Sequence, residues 1–148
     1  LYPPPRLVRP YTQTILTVLE PRETALFCVR YALDKKAYDL LVMDVSEHSS
    51  LADYFVICTG RSDTQVQAIA QSIEENLSRM GMRPRSIEGY PRAHWVLIDY
   101  GDVVVHVFLD SVRSFYDLER LWTRAPLLAL PEPYRSQARD LRLVGSEV

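Results

Sequence analysis

Two acids and two histidines share one apolar stretch, HWVLIDYGDVVVHVF at residues 94–108. Asp99 and Asp102 flank a Tyr-Gly pair, and neighbouring carboxylates can divide the proton-donating and proton-accepting roles of acid–base catalysis. Acids beside a tight turn are also common in ordinary hairpins, where they are solvated and cap free backbone groups. We therefore favour the turn-capping interpretation over catalysis for these two acids.

Alternation along the same stretch predicts a β-hairpin with two unlike faces. The facing pairs expected from a two-residue loop at Tyr100-Gly101 are Asp99 with Asp102, Leu97 with Val104, and Trp95 with His106. The expected core face is aliphatic: Val96, Ile98, Val103, Val105 and Val107. The second face is mixed: Trp95, Leu97, Asp99, Asp102, Val104, His106 and Phe108. Function is expected on this mixed face, because it is too polar for an ordinary core and too apolar for idle solvent.

Metal binding is another chemistry that histidines support. In the predicted register His94 and His106 point to opposite faces and cannot share one ion, and His48 lies in a separate polar segment. Cys28 and Cys58 lack the CxxC spacing of a zinc site and are expected to be reduced and buried. We expect neither a metal nor a cofactor.

Phosphate chemistry is a third candidate, since TGRSD (residues 59–63) resembles a turn before a helix N-terminus. A nucleotidyltransferase would need two metal-binding acids one residue apart on the strand after that helix. The strand there, RSIEGY, offers only Glu88, and the chain has neither a Walker lysine nor a GxSxG elbow. Ser62 as a helix cap is favoured. The alternative is a nucleotide-binding or nucleotidyltransferase-type enzyme that uses Ser62, Asp99 and Asp102.

Trp95 has two interpretations that its sequence context leaves open. It is either buried beneath a covering helix or exposed beside acids, which is the composition of an interface hot spot. The last predicted helix carries one stripe expected to pack on the sheet: Phe115, Leu118, Trp122 and Ala125. Its other side chains, Tyr116, Glu119 and Arg120, would then be available to a partner.

Periodicity and capping patterns predict the elements that position these residues. In chain order they are a helix from Pro21 to Lys35-Lys36, strands at 38–45 and 52–60, a helix from Ser62 to Gly81, a strand at 84–90, the hairpin, and a helix from Ser114 to Ala125. One crossover helix combined with hairpins predicts a single α/β domain, with a mixed five-stranded sheet flanked by helices.

Composition restricts the class of protein. With 47% hydrophobic and 24% charged residues, the 148-residue chain is expected to be globular. A net charge of −2 argues against broad nucleic-acid binding. No apolar run approaches a membrane span, so a cytoplasmic protein is expected. We divide the chain into a Pro-rich arm (residues 1–20), a domain (21–126) and a C-terminal tail (127–148).

Three segments resemble the ribosomal silencing factor family, also called Iojap-related proteins. They are DVSEHSSLADYFVICTGRSDTQVQAIA, EGYPRAHWVLIDYGDVVVHVF and RSFYDLERLW, and the resemblance covers about residues 22–125. It implies a nucleotidyltransferase-like fold without catalytic acids, and a translation repressor rather than an enzyme.

The resemblance also implies a partner and a surface. The family is expected to bind the large ribosomal subunit through its ribosomal protein fourteen, block joining of the small subunit, aid large-subunit biogenesis and, in some members, form homodimers. No membrane and no sequence-specific nucleic acid is implied. The positions that match the family's docking patch are Glu88, Gly89, Trp95, Leu97, Asp99, Tyr116, Glu119, Leu121 and Trp122.

Overall fold

The first described helix, α1 (Pro21–Leu33), begins at a proline whose fixed φ suits a first helical turn. The computed structural model describes residues 19–138. Most of the predicted arm and the end of the predicted tail lie outside that range. The carboxylate of Glu23 accepts a hydrogen bond from the backbone N–H of Glu20 at 3.0 Å, which satisfies one free donor at the start of α1.

Five strands form one mixed sheet, as predicted. They are β1 (Tyr38–Asp44), β2 (Tyr54–Gly60), β3 (Ser86–Glu88), β4 (Trp95–Asp99) and β5 (Val103–Leu109). Their order across the sheet is β1-β2-β5-β4-β3. The central pair, β2 and β5, is parallel, and the other neighbours are antiparallel. A single α/β domain with helices flanking the sheet is therefore confirmed.

The crossover between the parallel strands contains α2 (Asp63–Arg79). The Ser62 hydroxyl accepts a hydrogen bond from the backbone N–H of Gln65 at 3.1 Å, so Ser62 is the helix cap that the sequence predicts. The side-chain oxygen of Gln65 accepts a hydrogen bond from the backbone N–H of Arg61 at 2.6 Å, one residue before the cap. The apolar side chains Val66, Ile69, Ala70, Ile73 and Leu77 form one buried stripe along α2.

The two faces of the sheet are covered unequally. Helices α1 and α2 pack on the first face, where they enclose the aliphatic side of the hairpin that the sequence assigned to the core. The second face carries a smaller buried cluster: Met43, Val45, Ala52, Ile57, Phe108 and Ala125. Large side chains beside that cluster are only partly buried, so the mixed face is partly covered by the protein and partly exposed to solvent.

The predicted register of the hairpin is wrong by two residues. Trp95 pairs with Phe108, Leu97 with His106, and Asp99 with Val104. The two loop residues are Gly101 and Asp102 rather than Tyr100 and Gly101, since the N–H of Tyr100 donates to the carbonyl of Val103 at 2.9 Å and Gly101 adopts a φ of 90°. A shift of two residues leaves each side chain on its predicted face.

The predicted helix from Ser114 to Ala125 is also wrong. The chain instead forms α3 (Asp110–Tyr116) directly after β5, followed by a 3₁₀ helix (Leu118–Trp122). Asp117 separates them with a φ of 48°, a left-handed conformation that the short polar Asp side chain tolerates. Phe115, predicted to pack on the sheet, is consequently 81% exposed.

Part of the predicted tail lies against the outer edge of β1. The N–H of Leu128 donates to the carbonyl of Val42 at 2.8 Å, and Leu127 forms an isolated bridge with Met43. A short helix, α4 (Tyr134–Gln137), follows, and Ala138 after it is buried. Residues 127–138 thus pack more closely on the body than the sequence indicates, while the proposed division into arm, domain and tail stays a prediction.

Within residues 19–138, none of the helices combines the length and apolar character that crossing a membrane requires.

Replacing Ser62 with Ala should lower the free energy of unfolding by about 1 kcal/mol, because the backbone N–H of Gln65 loses its acceptor. Urea denaturation of Ser62→Ala and of the native chain measures the difference. Ser50→Ala, an exposed serine in the loop between β1 and β2, is the matched control and should unfold like the native chain. Equal losses in the two variants would contradict the capping role.

Candidate docking surface

Trp95 is half-buried and held in place from two directions. Its indole Nε1–H donates to Nδ1 of His106 at 3.1 Å. Its ring lies 4.8 Å from that of Phe108 and 5.0 Å from that of Tyr116, measured between centroids. One side of the indole is therefore fixed by the protein, and part of its surface faces solvent.

Aromatic side chains continue from Trp95 across the second face of the sheet. His106 lies 5.0 Å from Phe55, and Phe55 lies 5.3 Å from Trp122, both edge to face. We call Trp95, His106, Phe55 and Trp122 the aromatic row. Trp95 and Trp122, which the sequence places far apart, are thus joined by two rings.

Phe55 was missed as a site residue. The alternation of β2 is enough to place it opposite Val56, whose side chain packs in the core of the first face. Its contact with His106 depends on the parallel register between β2 and β5, in which Phe55 pairs with Val104. That register joins segments far apart in the sequence, so no local pattern shows it.

His106 is the buried member of the aromatic row. Burial lowers its pKa to about 4 from an ordinary value of 6.5, so the imidazole is neutral near neutral pH. Because Nδ1 accepts the Trp95 hydrogen bond, the proton resides on Nε2, and that atom is buried without a hydrogen-bond partner. The neutral ring is consequently tied to the position of Trp95.

Arg113 is a second buried polar group that the sequence did not reveal. Its guanidinium donates to the Thr59 hydroxyl at 2.7 Å and to the backbone carbonyl of Asp39. It also donates to one carboxylate oxygen of Glu119, through Nε at 3.2 Å and Nη2 at 3.1 Å. Glu119, a predicted docking residue, is therefore directed inward, and it ties the 3₁₀ helix to α3.

Gly89 has a structural reason to be glycine. Its φ is 82°, and a Cβ placed on it would lie 2.1 Å from the carbonyl oxygen of Trp95. Any larger residue would therefore force the β3–β4 connection away from Trp95. Glu88 beside it is exposed and pairs across the strands with Leu97.

The predicted docking residues fall into two neighbouring groups. Glu88, Gly89, Trp95 and Leu97 line one shallow cleft of about 280 Å³. Another cleft, of about 350 Å³, is bounded by Gly89, Trp95 and Tyr116 together with Arg92, His94 and Val112.

The second group lies at the end of the 3₁₀ helix, where Leu121 and Trp122 border a cleft of about 370 Å³ with His48 and Arg124. Tyr116 is 54% exposed and Leu121 is 76% exposed. The aromatic row connects the two groups, and together they form what we call the aromatic surface: the row with Leu97, Tyr116 and Leu121.

Asp99 lies at the far end of β4. Its carboxylate accepts a hydrogen bond from the backbone N–H of Gly101 at 2.7 Å, which is the turn-capping role favoured above. Asp102 is exposed, and its backbone carbonyl accepts bonds from the N–H groups of Asp53 and Tyr54. Among residues 19–138, no three His, Cys, Asp or Glu side chains are grouped so as to hold a metal ion.

Comparison with known protein families identifies the family of this chain. The family model described as "Ribosomal silencing factor during starvation" matches residues 18–143. This chain belongs to that family. The ribosomal silencing factor RsfS of Bacillus subtilis is 52% identical over 97 residues, which cover 66% of this chain and 82% of that protein. The mitochondrial Iojap-related protein of Arabidopsis thaliana is 36% identical over 96 residues, covering 61% of this chain and 51% of that protein.

Solved structures of similar proteins share the fold of this silencing-factor family member. A crystal structure from Bacillus halodurans is 41% identical with a TM-score of 0.67, and covers 74% of this chain and 99% of that one. A crystal structure from Chromobacterium violaceum is 36% identical with a TM-score of 0.70, and covers 79% and 98%. The family resemblance and the predicted fold class are confirmed.

Lowering the pH should destabilise the fold in part through His106. The pKa of this histidine is about 4 in the folded protein and 6.5 when it is unperturbed, so between these values the unfolded state holds the extra proton. The contribution of His106 to the free energy of unfolding is therefore fully present above pH 6.5. It is lost, by about 3 kcal/mol, as the pH falls toward 4.

His106→Gln removes this titration and retains an acceptor for Trp95. Urea denaturation at a series of pH values should give a shallower loss of stability for this variant than for the native chain. His48→Gln, at an exposed histidine, should keep the native slope. A native slope in His106→Gln would show that burial does not lower the pKa of His106.

Replacing Glu119 with Gln should lower the free energy of unfolding by about 2 kcal/mol, because the buried Arg113 loses the nearer of its two paired carboxylates, at 3.1 Å against 3.8 Å for Asp39. Glu132→Gln is the matched control, since Glu132 pairs with Arg135 at 2.8 Å on the surface, where ion pairs contribute little. Thermal or urea unfolding compares the two. Similar small losses would mean that Arg113 does not depend on Glu119.

Proposed function

We propose that this protein represses translation by binding the large ribosomal subunit through its ribosomal protein fourteen. The docked domain would occupy space that the small subunit needs, and joining of the subunits would be blocked. The observation that carries this proposal is the aromatic surface: large rings held in place on one side and exposed on the other. Family membership supports a ribosomal partner, and the aromatic surface supports this face of the sheet as the place of contact.

The aromatic surface has the physical properties of a binding hot spot. Trp95 is fixed by its bond to His106 and by two neighbouring rings, and Trp122 is fixed by Phe55. Side chains that are already ordered lose little conformational entropy on docking, so more of the burial energy contributes to affinity. Trp and Tyr are the residue types most enriched at such sites.

Charge at the edge of the aromatic surface supports a basic partner. Glu88 is exposed at the cleft that Trp95 and Leu97 line, and Asp102 is exposed at the end of the hairpin. Ribosomal proteins that contact RNA are commonly basic, so exposed acids would steer the encounter and accelerate association. Asp99 and Glu119 form hydrogen bonds within the protein, so these two acids would contribute less to the steering.

Occlusion of this kind requires affinity and shape, with no bond made or broken. Each of the polar groups of the alternative enzyme site has a structural or solvated position, since Ser62 caps α2, Asp99 caps the hairpin loop and Asp102 faces solvent. The same contact with a large subunit is compatible with a second role in its assembly.

A matched pair of aliphatic residues tests the proposal. Leu97 and Ile87 lie on the neighbouring strands β4 and β3 but face opposite sides of the sheet: Leu97 lines the aromatic surface, and the 41%-exposed Ile87 faces the α2 side. Leu97→Ala should weaken co-sedimentation with purified large subunits about tenfold, and Ile87→Ala should not, because hot-spot truncation costs roughly 1–2 kcal/mol.

Subunit joining, followed by light scattering, provides the second readout. The native chain should reduce the fraction of joined subunits, and Leu97→Ala should need about ten times the concentration for the same effect. Binding that survives Leu97→Ala but is lost in Ile87→Ala would move the interface to the other face. A native chain that stays in the supernatant at low salt would refute the proposal.

A further inference from the structure

A groove between α2 and β3 lies on the side of the sheet opposite the aromatic surface. It has a volume of about 420 Å³, and its lining includes Ala70, Glu74, Glu75, Ile87, Tyr90 and Pro91. Apolar side chains and a tyrosine form most of its wall, and two carboxylates lie on its helical side. We call it the α2–β3 groove.

The α2–β3 groove is preformed. The side-chain amide of Gln67 donates to the backbone carbonyls of Tyr90 and Pro91 at 3.1 and 3.3 Å, which ties α2 to the β3–β4 connection. A ligand would therefore enter without first separating these elements. Preorganisation of this kind lowers the free-energy cost of binding.

The two glutamates of the groove have no cationic partner within residues 19–138. Glu74 accepts a hydrogen bond from the Ser78 hydroxyl at 3.1 Å, and Glu75 accepts one from the Gln71 amide at 2.8 Å. Both donors are neutral. The ion pairs within residues 19–138 involve only Arg113 and Arg135. The groove therefore combines apolar wall with uncompensated negative charge, which fits a ligand that is apolar and cationic.

The N-terminal segment of this chain has that chemistry. Residues 1–10 read LYPPPRLVRP, with four prolines and two arginines, and residues 1–18 contain no acid. Pro-rich sequences favour the extended polyproline II conformation, which docks on aromatic and proline-lined grooves at low entropic cost. The geometry points to residues 3–10 as the occupant of the α2–β3 groove, with Arg6 and Arg9 beside Glu74 and Glu75.

The segment is long enough to reach. The start of α1 is near the end of α2, since the Thr24 hydroxyl lies 3.9 Å from the Met82 sulfur. Met82 follows α2 by three residues, and Glu74 lies about 8 Å along the helix axis from Arg79, the last residue of α2. The nine residues from Pro10 to Val18, which follow Arg9, extend to about 30 Å. Docking on this side leaves the aromatic surface open, so the inference does not depend on the proposed function.

Paramagnetic broadening in the full chain tests the inference. Cys28 and Cys58 are fully buried, and burial raises the pKa of both thiols, so a nitroxide attaches only at an introduced cysteine, Tyr2→Cys. The amide signals of Gln71, Glu75 and Ile87 should broaden strongly. Those of Glu23 and Leu26, which line a different groove near the start of α1, should not.

Charge reversal supplies the control. Arg6→Glu with Arg9→Glu should remove the broadening at the groove, as should Glu74→Lys with Glu75→Lys, and combining all four substitutions should restore it. The arginine pair lies outside the described body, so its result does not depend on the stability of the folded part. Broadening centred on Glu23 and Leu26, uniform weak broadening, or insensitivity to both charge reversals would overturn the inference.

Discussion

The buried guanidinium of Arg113 joins four parts of the chain that would otherwise be independent. It lies on α3 and bonds the carbonyl of Asp39 in β1, the hydroxyl of Thr59 in β2 and the carboxylate of Glu119 in the 3₁₀ helix. A buried charge is costly unless it is fully paired, so these elements hold one arrangement. The positions of Tyr116, Leu121 and Trp122 on the aromatic surface follow from that arrangement.

The two faces of the sheet are covered to different extents, so one forms the main core and the other keeps part of its aromatic side chains exposed. The first face is buried under α1 and α2 and supplies the larger core. On the second face, α3 and the 3₁₀ helix cover only part of the aromatic row, which leaves Trp95 and Trp122 half-buried. Burial of one side of each ring orders it, while the remaining area is available to a partner. The neutral, buried His106 connects these rings through its contacts with Trp95 and Phe55.

Local patterns predicted the elements and faces of this fold. Its two errors, the hairpin register and the last helix, come from local signals that were misread, and its two omissions come from contacts between distant segments. Capping and periodicity identified α2 from Ser62, and alternation assigned both faces of the hairpin even though its register was wrong. The last helix was misplaced because a pattern at Ser114 matched a helix start, whereas the chain enters α3 immediately after β5. Arg113 and Phe55 were missed since a lone arginine on a helix is usually solvated, and the register of β2 against β5 is not local.

The docking residues were predicted from the family resemblance rather than from local sequence patterns. Their roles came from family resemblance, and the structure shows where each side chain lies: Tyr116 and Leu121 face solvent, Glu119 bonds Arg113, and Gly89 permits the approach to Trp95. Those positions separate side chains that could touch a partner from side chains that hold the surface in shape.

The two outer edges of the sheet bear on self-association by strand addition. On β1, the backbone of Leu128 and Ala138 occupies hydrogen-bonding groups that a foreign strand would need. The opposite edge, β3, has only three residues and is flanked by Pro84 and Pro91. Short edges and nearby prolines make poor templates for amyloid-like stacking. Neither edge of the sheet therefore offers a long free strand beside the exposed aromatic rings.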